Sequence, residues 1–256
     1  MQDTVTNSLP EASSRPLPSI QDQQEFWDWH WLNWEQRKVM NEWTERRAQL
    51  ILSLVRNLRI ASPRIIDFGC GRGWFTERLA SLGETHGIDL SPEGIAAAQA
   101  RRSDIRYIAG NIYDADLPKN YFDVLVSQEV IAHVEDQTRY VERACEVLKP
   151  GGFLIITTGN KFVMDRLGDV GWNIQPPQHI AHQLSRPQVR RMVRPYCRVL
   201  SIDTFIPHGQ LGILRLVNSY KLNAFLSSFI PQQKLDHLRE KAGFGWQMIL
   251  LAQKRS

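Results

Sequence analysis

Cysteine is scarce in this chain: Cys70, Cys145 and Cys197 are the only three, widely spaced and without a CxxC pair. That pattern argues against a disulfide framework and against a zinc site built on paired thiolates. Also missing is any apolar run of about 18 residues, so no transmembrane helix is expected. The opening MQDTVTNSLPEASSRPLPS lacks the basic start and apolar core of a secretory signal. It reads as a disordered leader over residues 1–20 of a cytoplasmic protein. Neither sign of charge dominates: the net charge is +4 and the pI is near 9.0. The basic residues are scattered rather than gathered on one face, so no nucleic-acid partner is indicated. There are no convincing internal repeats.

What is present is a composition of 43% apolar and 23% charged residues over 256 positions, enough for one domain with a sizeable core. From about residue 62 to 158, segments with strand character alternate with helical ones. This is the signature of a parallel sheet with helices on both faces. RIIDFG (64–69), THGIDL (85–90), DIRYIAG (104–110), YFDVLVS (121–127) and GGFLIITT (151–158) read as strands. WFTERLASLG, SPEGIAAAQARR and DQTRYVERACEVL read as helices between them. Ser91 suits an N-cap, Pro92 the first turn, and Glu93 the positive helix end. Further on, SRPQVRRMVRPY looks helical, and CRVLSIDTFI (197–206) and FGWQMILLAQK (244–254) look like closing strands. The residues between those two, 207–243, are too many for a hairpin turn and contain an amphipathic helical stretch, LGILRLVNSYKLNAFLSSFI.

The chemistry concentrates in IIDFGCGRG, with Asp67, Gly69, Gly71 and Gly73. Glycines at a strand-to-helix turn let backbone amides approach a ligand with no Cβ in the way, and the helix N-terminus favours an anionic group. Asp89, at the end of the next strand, can accept two hydrogen bonds from a ribose diol. A glycine turn followed by an acid is also compatible with a nucleotide-dependent dehydrogenase, but the spacing is GxGxG rather than GxGxxG.

Four motifs taken together, IIDFGCGRG, GIDLSPEGI, YFDVLVSQEVIAHVED and LKPGGFLIITT, resemble in order and spacing the class I S-adenosylmethionine-dependent methyltransferases, especially the ubiquinone-pathway O-methyltransferases. The resemblance covers residues 62–158 and extends only loosely to the flanks. It implies an α/β, Rossmann-like, seven-stranded, mostly parallel sheet with helices on both faces and an antiparallel last strand. The implied cofactor is S-adenosylmethionine, lying across the carboxyl ends of the first strands. By the same resemblance Asp67 and Gly69 border the methionine portion, Asp89 holds the ribose and Leu90 lies against the adenine. Asn111 and Ile112 follow the third strand, where the family usually has an acid that accepts from the adenine amino group; Asn111 can accept there without charge. Gln128 stands where the family places a backbone carbonyl near the cofactor's amino group.

Methyl transfer from an activated sulfonium is mostly a matter of holding the acceptor in line and excluding water. A hydroxyl acceptor also benefits from a general base. His133 is the first candidate, with fixing of its own loop as the alternative role. His179 is the second, in PPQHIAHQLS with His182; their alternative is structural hydrogen bonding before a helix. The HIAH spacing lacks a clear third ligand, so no metal is expected. A base-modifying or protein-amide methylase would show an N/D-P-P-Y-type motif where this chain has SQEV. A cofactor-binding scaffold without catalysis is the remaining alternative, opposed by intact Gly69, Gly71, Gly73 and Asp89.

The acceptor pocket is expected to come from residues 21–60, 159–183 and 207–243, all rich in large apolar side chains. A small hydrophobic or aromatic acceptor, methylated at oxygen, fits such a lining; sugar, amine or carbon acceptors are alternatives. The third segment could instead rest on a membrane surface. Half of the 8 tryptophans, Trp27, Trp29, Trp31 and Trp34, crowd into EFWDWHWLNWEQ. If residues 23–58 are mostly helical, Trp27, His30, Trp31 and Trp34 share one face, and Trp29, Leu32, Val39, Met40 and Trp43 share the other. A helix apolar on both faces should be sandwiched, which predicts an N-terminal helical lid over the cofactor and acceptor. Burial in the core or in a homodimer contact is the alternative.

Overall fold

A computed structural model describes residues 17–33, 42–167, 180–209 and 211–256. Seven strands form one sheet: β1 Ile65–Phe68, β2 Thr85–Asp89, β3 Arg106–Ala109, β4 Phe122–Gln128, β5 Leu148–Gly159, β6 Cys197–Pro207 and β7 Gly245–Lys254. Their order is β3-β2-β1-β4-β5-β7-β6. β1 pairs in parallel with β2 and β4, while β7 runs antiparallel between β5 and β6. The expected mostly parallel sheet with an antiparallel last strand is what the chain forms. β1 and β2 are buried along their whole length because helices cover both faces, which is why they read as unbroken rather than alternating strands. After β3 the chain returns to the other side of β1, so the strand order reverses between β1 and β4. That reversal opens a crevice at the carboxyl ends, the usual place for a ligand in such sheets.

On one face lie α5 (Gln137–Val147) and α7 (Arg186–Val193). Tyr140, Val141, Ala144 and Val193 pack there on Phe68, Leu125 and Ile156. On the other face α2 (Glu42–Asn57) presents Ala48, Ile51, Leu52 and Val55, the i, i+3, i+4, i+7 stripe of an amphipathic helix. It is joined by α3 (Trp74–Leu79) through Phe75 and Leu79. α4 (Pro92–Arg101) starts as its sequence suggests, with Ser91 Oγ accepting from Gly94 N at 3.0 Å and Pro92 in the first turn. Cys145 and Cys197, 52 positions apart, meet as free buried thiols with sulfurs 3.3 Å apart.

The N-terminal region departs from the sequence expectation. The expected helix over 23–58 is two helices, α1 (Ile20–Leu32) and α2, and residues 34–41 between them, with Trp34, Val39 and Met40, lie outside the described residues. α1 ends where Asn33 turns its backbone N–H and its Nδ2 onto the Trp29 carbonyl. The sandwich expectation fails: Trp29 is 50% exposed, Leu32 63% and Trp43 42%. Helical periodicity reports which residues share a face, not whether a neighbour covers that face, and a short helix at the edge of a crevice has a neighbour on one side only.

Beyond β5 come the short α6 (Lys161–Met164) and then, between β6 and β7, α8 (Ile213–Val217), α9 (Tyr220–Ser227) and α10 (Gln232–Ala242). Leu214 and Leu235 anchor this segment in the core, while Leu216, Tyr220, Phe225 and Phe229 are exposed.

Candidate active site

The crevice holds a cavity of about 560 Å3, within the range of small-molecule sites, roughly 300–1,000 Å3. Each neighbouring strand end contributes: Asp67, Gly69 and Cys70 after β1; Asp89 and Leu90 at β2; Gly110, Asn111, Ile112 and Tyr113 after β3; Gln128, Glu129, Val130 and His133 after β4. The roof is α1, through Ile20, Gln23, Trp27, His30 and Trp31, with Thr44 and Arg47 from α2 and Trp74 and Phe75 from α3. Of the residues singled out in the sequence, Asp67, Gly69, Asp89, Leu90, Asn111, Ile112, Gln128 and His133 are brought to one cavity. Gly71 and Gly73 shape its loop without lining it, and His179 lies outside the described residues. The cavity takes no described residue of 159–183 or 207–243. That corrects the expected pocket: among the described residues, α8 and α9 contribute no side chain to it, and of the three expected segments only the N-terminal one lines it.

The glycine loop works through its missing side chains rather than through free amides. Gly69 and Cys70 donate to the Ile88 carbonyl at 2.8 and 3.0 Å, and Gly71 donates to Asp89 Oδ2 at 2.7 Å. The loop is therefore stitched to β2, and those three amides are spent internally. Gly69 sits at φ +73 with Val130 where a Cβ would go, and Gly71 at φ +52 with the Trp31 indole against it. A side chain at either position would meet both left-handed strain and a clash.

Two carboxyls are buried at the heart of the site. Asp67 is 1% exposed and accepts from Thr76 Oγ1 at 2.8 Å; burial raises it to about 7, with the Thr76 hydroxyl opposing and the nearby Asp89 adding to the rise. Burial likewise raises Asp89 to about 6, against the amides of Ser91 at 3.0 Å and Gly71 and the Trp31 indole, all of which favour the ionised form. Asn111 is engaged in its own turn: Oδ1 accepts from Tyr113 N at 3.1 Å and Nδ2 donates to Asp114. Arg143 holds the following loop by donating to the Ile112 and Ala115 carbonyls.

At the β4 end, His133 Nδ1 lies 2.7 Å from the Ile180 carbonyl. A carbonyl only accepts, so Nδ1 carries the proton and Nε2 is the basic nitrogen. Burial lowers the His133 pKa below its ordinary 6.5, against the Ile180 contact and the field of Glu129. The ring is therefore neutral at pH 7. His182 instead uses its backbone, donating to Ala132 O and accepting from Gln137. Two residues of this corner escaped the sequence reading. Glu129 stands at φ +57, the left-handed region uncommon for a non-glycine residue, and lines the cavity with one buried carboxylate oxygen. Arg47 reaches in from α2, 3.6 Å from Glu129 and donating to Gln128 and Gln247 at 3.3 Å each. A strained acid beside a strand end is a signal that backbone angles carry and residue spacing does not.

α1 is docked through the C-terminal half of its cavity-facing stripe. Asp28 accepts from Ser91 Oγ and from Glu93 N, so a carboxylate of α1 sits at the N-terminus of α4. Arg72 donates to the Trp31 carbonyl at 3.0 Å, and Trp27 meets the His133 ring edge-to-face at 5.4 Å.

A family profile described as "Methyltransferase domain" matches residues 66–156. A protein of Mycolicibacterium smegmatis described as "Probable S-adenosylmethionine-dependent methyltransferase" is 28% identical over 160 residues, 61% of this chain and 54% of that one. The ubiquinone biosynthesis O-methyltransferase of Methylobacterium nodulans is 36% identical over 111 residues, 41% of this chain and 45% of the relative. Residues 66–156 thus match a methyltransferase domain, and the relatives they resemble are described as S-adenosylmethionine-dependent methyltransferases or ubiquinone O-methyltransferases. The chain spans about half the length of these curated relatives. In fold, the chain is similar to the N-methyltransferase NodS from Bradyrhizobium japonicum WM9, solved with S-adenosyl-L-homocysteine. The TM-score is 0.63 at 18% identity, over 92% of this chain and 100% of that one.

The lining of the cavity fits S-adenosylmethionine. A nearly buried carboxyl, Asp89, faces the cavity, where hydroxyl donors would favour ionisation, and apolar Leu90 and Ile112 flank a slot beside it. The buried acids also have a consequence without any ligand. Both folded-state values lie above the ordinary 3.8, so the folded protein keeps protons that the unfolded chain releases. Their contribution to stability is full below about pH 4 and is lost as pH rises to about 7. Asp67→Asn should therefore gain stability relative to the unaltered protein as pH rises from about 4.5 to about 7.5 in urea unfolding. A difference that is flat or of opposite slope would refute the assignment.

Proposed function

We propose that this protein transfers the methyl group of S-adenosylmethionine to an oxygen of a small hydrophobic or aromatic acceptor. The observation that carries the reading is one continuous cavity with two unlike ends. At one end lie Asp89, Leu90 and Ile112 with the Trp31 indole of α1 against Asp89; at the other, His133 and Glu129 with Trp27 of α1 against the His133 ring. The cofactor, when bound, supplies an activated methyl group. In this reading Asp89 accepts from the ribose hydroxyls, taking over from the Trp31 indole, and Leu90 and Ile112 hold the adenine between them. Asn111 has a second lone pair on Oδ1 for the adenine amino group. Asp67 and Gly69 bound the amino-acid portion, with the Gln128 main chain beside it.

His133 Nε2 takes the acceptor's hydroxyl proton, and Glu129 stabilises the imidazolium that results. Trp27 covers the acceptor and excludes water, and Trp31 closes over the Asp89 end, so that α1 serves as a lid over both. The ubiquinone-pathway relatives favour oxygen as the acceptor atom. NodS, similar in fold, is described as an N-methyltransferase, so nitrogen is the second reading. No described helix is long and apolar enough to cross a membrane. The exposed Leu216, Tyr220, Phe225 and Phe229 support peripheral contact with a lipid surface.

The reading is tested by assaying small phenolic, amine and carbon acceptors with labelled cofactor. Methyl incorporation into phenols, together with saturable cofactor binding that weakens at least about tenfold in Asp89→Ala, is expected. Label found only in protein or nucleic acid, or no saturable binding at all, would overturn it. For a hydroxyl acceptor, kcat/KM should rise with pH to a plateau below about 6.5, and His133→Gln should lose about 10²–10⁴-fold in rate along with that acidic limb. A limb that persists in the variant assigns the proton elsewhere. Trp27→Ala should raise the acceptor KM while leaving the unfolding midpoint nearly unchanged; a parallel loss of both would make Trp27 a core residue instead.

A further inference from the structure

At the opposite end of the sheet, where the parallel strands begin, a second cleft of about 570 Å3 is lined by Pro187, Arg190, Arg191, Arg194, Pro195 and Arg255. It forms where the end of α7 meets the last residues of the chain, since Cys197 at the start of β6 pairs with Lys254 at the end of β7. Arg255 is fixed in place: its N–H donates to the Tyr196 carbonyl at 3.1 Å and its guanidinium to the Arg194 carbonyl at 3.4 Å. The negative end of a helix accounts for one or two arginines in its last turn. It does not account for four around one cleft.

Several arginines elsewhere are ion-paired, among them Arg78 with Glu45, Arg102 with Asp104, Arg143 with Glu146 and Arg239 with Asp236, while others such as Arg139 and Arg198 show no such pair among the described residues; what sets this place apart is four arginines together. None of the four cleft arginines has a carboxylate within 4.0 Å among the described residues. Glu142, on α5, is close enough to act on Tyr196 and still forms no such pair. Four exposed guanidinium groups around one open cleft, none with a carboxylate partner among the described residues, make a concentrated positive potential.

We propose that this cleft is a second binding site, for a soluble small molecule carrying at least two phosphoryl groups. Guanidinium forks match phosphate oxygens in geometry and charge, which a carboxylate-bearing ligand of lower charge does less well. The size of the cleft is that of a small-molecule site. A lipid surface is disfavoured because no exposed large apolar side chain falls within residues 186–196 or 254–256. A single-stranded nucleic acid is disfavoured because the exposed aromatic rings, Trp29, Trp43, Phe162, Tyr220, Phe225 and Phe229, lie in other elements and give its bases no platform here. The site is remote from the carboxyl-end cavity and does not depend on the methyl-transfer reading.

Pyrophosphate is the probe, titrated into the full chain while the arginine Nε–Hε resonances are followed by NMR. The resonances of Arg190, Arg191, Arg194 and Arg255 should shift saturably, and inorganic phosphate should bind more weakly. Arg191→Gln combined with Arg194→Gln should lower pyrophosphate affinity at least about tenfold. Arg198→Gln, exposed but outside the cleft, should not. The shifts are read on the unaltered chain, so the result stands even where a variant fails to fold. Shifts that do not saturate, an unchanged affinity in the double variant, or an equal loss in Arg198→Gln would overturn the proposal. So would tighter association with anionic phospholipid vesicles or with a duplex oligonucleotide than with pyrophosphate at the same ionic strength.

Discussion

The site is organised around one buried carboxylate. Asp89 gathers the amide of Gly71 from the loop after β1 and the amide of Ser91 at the start of α4, and the Trp31 indole of α1 lies against it. Three chain segments far apart in sequence are thereby held to the end of β2. A buried charge is costly unless such donors surround it, and the donors are themselves orphan amides of a loop and a helix start. Each side satisfies the other's requirement, so the loop, the strand end and the helix start form one rigid corner. Asp28 extends the arrangement outward, since it accepts from the same Ser91 whose hydroxyl caps α4.

The sheet and the parts of the site near the glycine loop were legible in the sequence because their causes are local. Asp67, Gly69 and Asp89 sit where a strand must end and a helix must begin, and spacing alone locates them. The turn at Asn111 was legible only as a choice, because the same amide suits a ligand or its own backbone; the structure shows the backbone hydrogen bond to Tyr113. Glu129 and Arg47 were not legible. One depends on a left-handed backbone that no residue pattern announces, and the other on the approach of a helix 81 positions away from its partner Gln128. The failed sandwich expectation for α1 has the same origin. Amphipathicity is encoded along the chain, whereas the number of neighbours a helix acquires is decided by the whole fold.

The small residues of the loop also change meaning once the long-range contacts are known. Read as a cradle for an anion, the glycines should present free amides; three of those amides are instead bonded inward. What the missing side chains provide is room: for Val130 against Gly69, and for Trp31 against Gly71. The loop is thus shaped by the elements that close over it, and β4 and α1 are coupled to β1 through contacts that tolerate no extra methyl group.

That coupling bears on how the roof can move. α1 is attached by a few polar contacts, each worth on the order of 1 kcal/mol, and by the cavity-facing Trp27 and Trp31, while Ile20, Trp29 and Leu32 stay exposed. α2, by contrast, buries a full apolar stripe on the sheet. In the proposed lid reading, lifting α1 would break these contacts and leave Arg47, Glu129 and His133 in place, since these belong to α2 and to the β4 end. The polar chemistry of the cavity sits on α2 and the strand ends and its aromatic cover on α1. A cover of this kind can admit a bulky ligand and then exclude water, without disturbing the groups that must stay aligned.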